Sequence, residues 1–419
     1  MKSISTLALA VSLVVSGVLA ASPAIAQKKK AAAAAPAVDP NARKYVFSKA
    51  ARPTLDALNK AVDSKDAAAV AAALGPAQAA ASTPDDRYML AQFQLRHALN
   101  TQNLAGQRAA LEAIVASGGA RPEELPRIYR GIGDLAYNAK DYAGAGAMFE
   151  KLVQLSPNDG DAIVNLAELR NRQGRKAEGI QLLDRAIAAK VAAGQKPDES
   201  WYKRAVGLST DAKMAPQAIK LSRDWLVAYP TDQNWRDVLA NYRFLVPLDD
   251  DAELDRFRLM RATGSLQGER AYKSFAEFLL FRSFYGEAKS VLDEGVAKRI
   301  IDRNKPEYSK LISTAASKAA ADRPTVASTE PKANSSATGS IALRVANAYY
   351  NYGDYAKAVA LYRTALTKGG VDANLVNTRI GMALAMSGDK AGASAAFGAV
   401  TGARQDLARY WLLWLSQRA

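Results

Sequence analysis

Apolar residues recur at helical spacing through most of the chain, and the pattern is most regular between Pro126 and Asp159. It predicts two short amphipathic helices, one from about Arg127 to Ala139 and one from about Tyr142 to Leu155. Lys140-Asp141 is the expected turn between them. Pro157 is expected to end the second helix, because proline lacks an N–H and clashes with a continuing helix.

Small residues, Gly133 and Ala145, occupy positions where the two predicted helices must approach closely. The spacing resembles the tetratricopeptide repeat, a helix pair of about 34 residues. The residues that carry the resemblance are Tyr129, Ile132, Gly133, Ala145, Phe149 and Pro157. Ala136 and Leu152 depart from the usual aromatic and alanine. The resemblance implies an all-α fold, a right-handed α-solenoid of antiparallel helix pairs that forms a superhelix and offers surfaces for binding.

Related units follow along the chain. The second unit, residues 160–193, repeats the first with a shift of about 34 residues. Residues 44–119 are helical, rich in alanine and interpreted as divergent repeats, and residues 120–321 as the regular solenoid. Residues 339–419 are predicted to hold two further repeats and a C-terminal helix, Gln405 to Arg418, that covers the open end of the last repeat.

Two segments interrupt the repeat pattern. Residues 322–338 are polar and contain proline and serine, which predicts a flexible loop or linker. The sequence leaves open whether this loop separates two rigid arms or bulges from one superhelix. The acidic run in Pro247–Asp251 favours a helix N-terminus over a cation site, because the helix dipole attracts negative charge and the spaced oxygens of a calcium loop are missing.

Residues 1–26 have the pattern of a secretory signal peptide, with Lys2, an apolar stretch and the cleavage pattern Ala24-Ile25-Ala26. Cleavage after Ala26 would give a periplasmic or secreted protein; the alternative is an uncleaved membrane anchor. Residues 27–43 are rich in lysine and alanine and are predicted to form a disordered linker. No later segment is apolar enough to suggest a transmembrane helix in the mature chain.

The composition excludes several chemistries. The chain has no cysteine and a single histidine, His97. It therefore cannot hold a thiol nucleophile, a cysteine-based metal site or a pair of histidine ligands. Since repeat packing accounts for the strong helices, we expect no enzymatic activity, no cofactor and no metal.

The formal net charge is +15. It favours a solvated basic surface or attraction to anionic glycan or lipid headgroups, and no nucleic-acid motif is present.

In tetratricopeptide arrays the first helix of each pair lines the binding groove. By this resemblance, the candidate partner-binding residues are Arg127, Arg130, Tyr137, Asn138, Asn165, Arg172 and Arg204, with a second group of Asn347, Tyr350, Asn351 and Arg379. Arg130, Asn165 and Arg204 match a clamp for a peptide carboxylate, but Asp134 and Ser200 do not. Asp134 is expected to repel the carboxylate or to pair with Arg130.

Three classes of function remain after these observations. The leading interpretation is a non-catalytic scaffold of the bacterial cell envelope that binds partner proteins or peptides through the concave groove. The alternative is a glycan-associated factor in polysaccharide export or cell-wall remodelling. An envelope enzyme that uses paired carboxylates is the third class.

Overall fold

The computed structural model describes residues 43–418. The expected signal peptide and residues 27–42 of the expected linker lie outside this range. Within it the chain forms twenty α-helices, one short 3-10 helix at Gly402–Arg404 and no strand, which confirms the all-α fold class. The helices are α1 Ala51–Ser64, α2 Ala67–Ala80, α3 Pro84–Asn100, α4 Leu104–Ala116, α5 Leu125–Asn138, α6 Tyr142–Leu155, α7 Gly160–Arg172, α8 Lys176–Ala192, α9 Glu199–Asp211, α10 Ala215–Ala228, α11 Asp232–Leu245, α12 Asp250–Ala262, α13 Glu269–Phe281, α14 Tyr285–Ala297, α15 Pro306–Ser335, α16 Ser340–Asn351, α17 Tyr355–Lys368, α18 Ala373–Met386, α19 Lys390–Gly398 and α20 Gln405–Ser416.

The described residues form two compact units, and the first ends at Ala189 while the second begins at Lys190. Consecutive helices pack as pairs in each unit, for example α3 with α4 and α5 with α6 in the first, and α13 with α14 and α16 with α17 in the second. Helices joined by such short turns pack antiparallel. The expected solenoid of antiparallel helix pairs is therefore present within the units.

The short turns inside the pairs share a residue of positive φ. Lys140, with φ of 62°, reverses the chain after α5, and Gly174, with φ of 77°, does so after α7. Asp141 then begins α6, because its carboxylate accepts the backbone N–H of Gly144 at 2.9 Å. Such a cap satisfies an N–H that has no partner in the first helical turn. The predicted turn at Lys140-Asp141 is confirmed.

Asp249 caps α12 in the same way and accepts the N–H of Ala252 at 2.6 Å. Asp250 and Asp251 lie in the first turn of that helix. The interpretation of the acidic run as a helix N-terminus is therefore confirmed.

Glycine provides room for an aromatic ring inside two of the pairs. A Cβ atom on Gly133 of α5 would lie 3.1 Å from the Phe149 ring of α6, and one on Gly381 of α18 would lie 2.6 Å from the Phe397 ring of α19. Both phenylalanines are almost fully buried. The glycine thus accommodates a side chain of the partner helix, whereas the sequence had suggested an approach of the two backbones.

Residues 322–338 do not form the predicted flexible loop, because α15 continues through them to Ser335. The composition, with Pro324 and Pro331, hid a regular apolar stripe. Each proline removes one backbone N–H, and the buried stripe offsets that loss. Both flanks of the segment belong to the same compact unit, so it does not separate two arms. The stripe consists of the buried residues Tyr308, Ala315, Ala319, Val326 and Ala333.

The C-terminal helix α20 covers the last repeat and also closes the second unit. Trp411 stacks on Phe397 of α19, with ring centroids 5.7 Å apart. On its other side α20 packs against α10, α11 and α12. Asp406 pairs with Arg223 of α10 at 2.8 Å, and the Trp235 indole N–H of α11 donates to Gln417 at 3.2 Å. Helices far apart in sequence are therefore joined at the C-terminus.

We expect Gly381→Ala to destabilise the second unit. The added methyl group would meet the Phe397 ring, which Trp411 holds in place. Overpacking of this kind costs about 1–3 kcal/mol, against a gain in helix propensity of about 1 kcal/mol. The matched control is Gly207→Ala in α9, where the added group would meet no atom of another part of the chain within 4 Å. Urea unfolding followed by circular dichroism should place the midpoint of Gly381→Ala below that of the wild type and that of Gly207→Ala at or above it. An unchanged midpoint for Gly381→Ala would contradict the packing argument.

Candidate functional site

The first group of predicted partner-binding residues lies mainly on α5 and α7. The guanidinium carbon of Arg172 lies 5.5 Å from the ring centroid of Tyr137 on α5 and 5.4 Å from that of Tyr142. The two rings meet edge to face at 5.6 Å. This contact joins the ends of the two helices into one surface, which we call the α5–α7 surface. It comprises Arg127, Arg130, Tyr137, Asn138, Asn165 and Arg172.

The positive charge of Arg130 on this surface is neutralised by a carboxylate of the same chain. Its guanidinium pairs with Asp159, the residue that caps α7. The expected pair with Asp134 is replaced by this one. Burial raises the pKa of Asp134, and the charge of Arg130 opposes the rise. Since Arg130 already holds a carboxylate of its own chain, its role as part of a clamp for a peptide carboxylate is weakened.

The other members of the first group differ in exposure. Arg127, Asn138 and Arg172 are exposed, and Asn165 is half-buried. Arg172 also pairs with Glu168, one helical turn earlier, at 2.9 Å. Arg204 is exposed on α9 and belongs to the second compact unit.

The second group does not form the exposed groove that the sequence suggested. Asn347 is half-buried, and Tyr350, Asn351 and Arg379 are buried. The Asn347 amide oxygen accepts hydrogen bonds from Arg379 at 2.9 Å and from the Tyr362 hydroxyl at 2.7 Å. Polar residues occupy these buried positions because they form hydrogen bonds with one another and ion pairs with the charged side chains of α12.

A buried cluster of charges explains this arrangement. Asp255 of α12 is fully buried and lies 3.2 Å from Arg258, 3.6 Å from Arg379 and 3.5 Å from Arg404. Arg379 also reaches Asp251 at 2.7 Å, and Arg258 reaches Glu287 of α14 at 2.7 Å. The cluster therefore connects α12 to α14, to α18 and to the short helix before α20.

The ionisation of the cluster follows from these contacts. Burial favours the neutral carboxyl of Asp251, but the charge and hydrogen bond of Arg379 outweigh burial and lower the pKa of Asp251. Burial likewise opposes the charge of Arg258, and the attraction of Glu287 raises the pKa of Arg258 well above its ordinary value. Asp251 and Arg258 therefore carry their charges at neutral pH.

The sequence analysis missed Asp255, Arg258, Glu287 and Arg404. The sequence did contain an indication of this cluster. Charged residues of α12 occupy positions at which an amphipathic helix would carry apolar residues. Charges inside a buried stripe require partners. The identity of those partners depends on helices that are distant in sequence.

A cavity of about 930 Å³ opens beside this cluster in the second unit. Its walls come from α12, α14, α15, the end of α16, the start of α17, the end of α18 and two residues near the C-terminus, Trp414 of α20 and Arg418. Tyr350 and Asn351 of the second predicted group line it, whereas Asn347 and Arg379 do not. The ring of Tyr350 lies 4.4 Å from the guanidinium carbon of Arg258 and 5.2 Å from the ring of Tyr355.

Two general findings concern residues 43–418 only. Their acidic and histidine side chains form no group of three or more that could hold a metal ion. None of their helices combines the length and the apolar composition required to cross a membrane.

Residues 136–195 match a family model described as the tetratricopeptide repeat. The match covers α6, α7 and α8 and confirms the resemblance seen in the sequence. No protein of curated function shows significant sequence similarity to the chain.

Solved structures to which the chain is similar include a tetratricopeptide repeat protein from Parabacteroides merdae. It is 13% identical, and the alignment covers 70% of this chain and 100% of that protein's chain, with a TM-score of 0.28. The tetratricopeptide domain of P58(IPK) is 13% identical. The alignment covers 88% of this chain and 97% of that domain, with a TM-score of 0.25. The TPR2AB domain of yeast Sti1, in a complex with pHSP90, is 13% identical, with 70% and 100% covered and a TM-score of 0.26.

The consecutive helix pairs of the described residues define a class, the all-α repeat proteins. Within that class, residues 136–195 match the tetratricopeptide repeat. Proteins of this type present extended surfaces for interaction with other proteins. The match at residues 136–195 therefore supports a role in protein interaction.

Asp255→Asn should destabilise the second unit strongly. The change removes a buried carboxylate and leaves Arg379 and Arg404 less compensated. Loss of one partner from a buried ion pair costs about 3–5 kcal/mol. Asp250→Asn is the matched control on the same helix, since its carboxylate is 69% exposed and pairs with Arg282 at 3.3 Å. Chemical unfolding should show a lower free energy of unfolding for Asp255→Asn alone. Equal free energies for both variants would refute a central role for Asp255.

Proposed function

We propose that this protein is a non-catalytic scaffold of the bacterial cell envelope, exported to the periplasm or beyond, that binds a partner protein or peptide on the α5–α7 surface. One observation carries the proposal, the contact of Arg172 with Tyr137 and Tyr142. It places a cation and two aromatic rings together on adjacent helices. Arginine and tyrosine are enriched among the residues that dominate binding energy at protein interfaces.

The charges of this surface suit a polar peptide. Arg130 is paired with Asp159 and Arg172 with Glu168, so the surface presents ion pairs and aromatic edges without a strong excess of one charge. Asn138 and Asn165 add amide groups that can bind a peptide backbone. This composition supports recognition of a peptide or protein segment through hydrogen bonds and ring contacts, and it supplies no pair of groups arranged for catalysis.

Export rests on the sequence alone. The apolar stretch and the Ala24-Ile25-Ala26 pattern precede the described residues. We expect mass spectrometry of the protein from the periplasmic fraction of a bacterial host to give a mature chain that starts at Gln27. Replacement of Ala24 and Ala26 by bulky residues should block this cleavage, because signal processing requires small residues there. An intact N-terminus in the cytoplasmic fraction would contradict export.

The binding surface is tested by affinity capture. The full chain, expressed in its host and crosslinked in the envelope, should recover one or two protein partners identified by mass spectrometry. Arg172→Glu combined with Tyr137→Ala should remove them, because the cation and one of the rings that define the surface are lost. The control is Lys176→Glu, an exposed charge reversal on α8. Circular dichroism should show equal helix content in all three proteins.

Two results would count against the proposal. Equal recovery of the partner by the double variant would exclude the α5–α7 surface as the binding site. Recovery of an anionic glycan without any protein partner, lost at modest salt concentration, would favour the glycan-associated alternative instead.

A further inference from the structure

The cavity of the second unit has an unbalanced set of charges. Five basic and three acidic side chains line it. Each acid is already paired with a lining base: Glu287 with Arg258 at 2.7 Å, Asp293 with Lys289 at 2.6 Å, and Glu294 with Arg261 at 2.6 Å. The remaining bases are Arg323 and Arg418. The cavity lining therefore carries two positive charges that no lining carboxylate compensates.

Both of these arginines are supported by aromatic rings. The guanidinium carbon of Arg323 lies 5.5 Å from the ring of Tyr352, and that of Arg418 lies 4.6 Å from the ring of Trp414. Within residues 43–418, the only carboxylate that pairs with Arg323 is Asp354 at 4.0 Å, and none pairs with Arg418. A guanidinium stacked on a ring keeps its hydrogen-bond donors available for a carboxylate or a phosphate.

Two hydrogen-bond donors on largely buried residues also line the cavity. Tyr350 and Asn351 are 6% and 5% exposed. The Asn351 amide oxygen accepts the backbone N–H of Glu287 at 2.6 Å. The NH₂ group of the same amide takes no part in this hydrogen bond. Among the described residues, neither this NH₂ group nor the Tyr350 hydroxyl has a hydrogen-bond partner. Both atoms are accessible from the cavity, so they can donate to the acceptor oxygens of a bound ligand.

We propose that this cavity is a binding site for a small organic anion with two or more carboxylate or phosphate groups. Arg323 and Arg418 bind the acidic groups, and Tyr350 and Asn351 donate hydrogen bonds to acceptor oxygens of the ligand. A volume of about 930 Å³ lies within the range of small-molecule sites. The site is separate from the α5–α7 surface, so it goes beyond the proposed scaffold function.

Isothermal titration calorimetry on the full chain tests the site, with citrate as the carboxylate probe and fructose 1,6-bisphosphate as the phosphate probe. At least one should bind with a stoichiometry of one, and the affinity should fall as salt is raised. The probe that binds more tightly identifies the acidic group that the site prefers.

Variants locate the binding. Arg323→Gln and Arg418→Gln should each weaken the affinity about 10-fold, as expected for the loss of a charge-assisted hydrogen bond. Tyr350→Phe keeps the ring against Arg258 and should weaken it about 5-fold through the lost hydroxyl. Arg363→Gln, an exposed arginine of α17 outside the cavity, is the control and should bind like the wild type.

Other outcomes would overturn the proposal. They are the absence of saturable binding for both probes, or an affinity that Arg323→Gln and Arg418→Gln leave unchanged. Binding of a hexaglutamate peptide while both small anions fail would show a peptide site instead. Circular dichroism confirms that each variant remains folded.

Discussion

The second unit depends on one buried carboxylate, that of Asp255. It sits on α12 among Arg258, Arg379 and Arg404, which come from positions spread over about 150 residues of the chain. A carboxylate removed from water is costly unless it is paired, and so is each arginine. The four groups therefore stabilise the fold only together. This requirement fixes where α18 and the segment before α20 lie relative to α12.

Closure of the unit follows from that cluster and from the apolar surface of α20. Tyr410 packs against Trp235 and Tyr242 of α11, while Trp411 packs on the opposite neighbour, Phe397 of α19. In an open solenoid each repeat contacts only its neighbours. Here the last helix also contacts α10, α11 and α12 of the same unit, and a cavity remains beside the junction. The cavity of the second unit is thus a product of these long-range contacts.

The first unit is organised by local rules. Its turns combine a residue of positive φ with an aspartate or asparagine cap, as at Lys140-Asp141 and at Gln102-Asn103. In its interior, a phenylalanine ring packs against a glycine of the partner helix, as Phe149 does against Gly133. Its candidate surface arises where Arg172 reaches back over Tyr137 of the preceding pair. Contacts of this range, within one repeat or between neighbours, are those that a periodic sequence predicts well.

The sequence by itself determined the helix pairs, their turns and the tetratricopeptide character, because these depend on apolar period, caps and glycine at neighbouring positions. It also singled out the residues of the α5–α7 surface as candidates for partner binding. It misjudged residues 322–338, where composition hid the stripe that ends at Val326 and Ala333, and it took Arg379 for a surface residue. Only the tertiary structure decided these points. A charged residue can be buried only where an opposite charge pairs with it. For Arg379 that partner comes from a helix distant in sequence, and the sequence does not show which helices will meet.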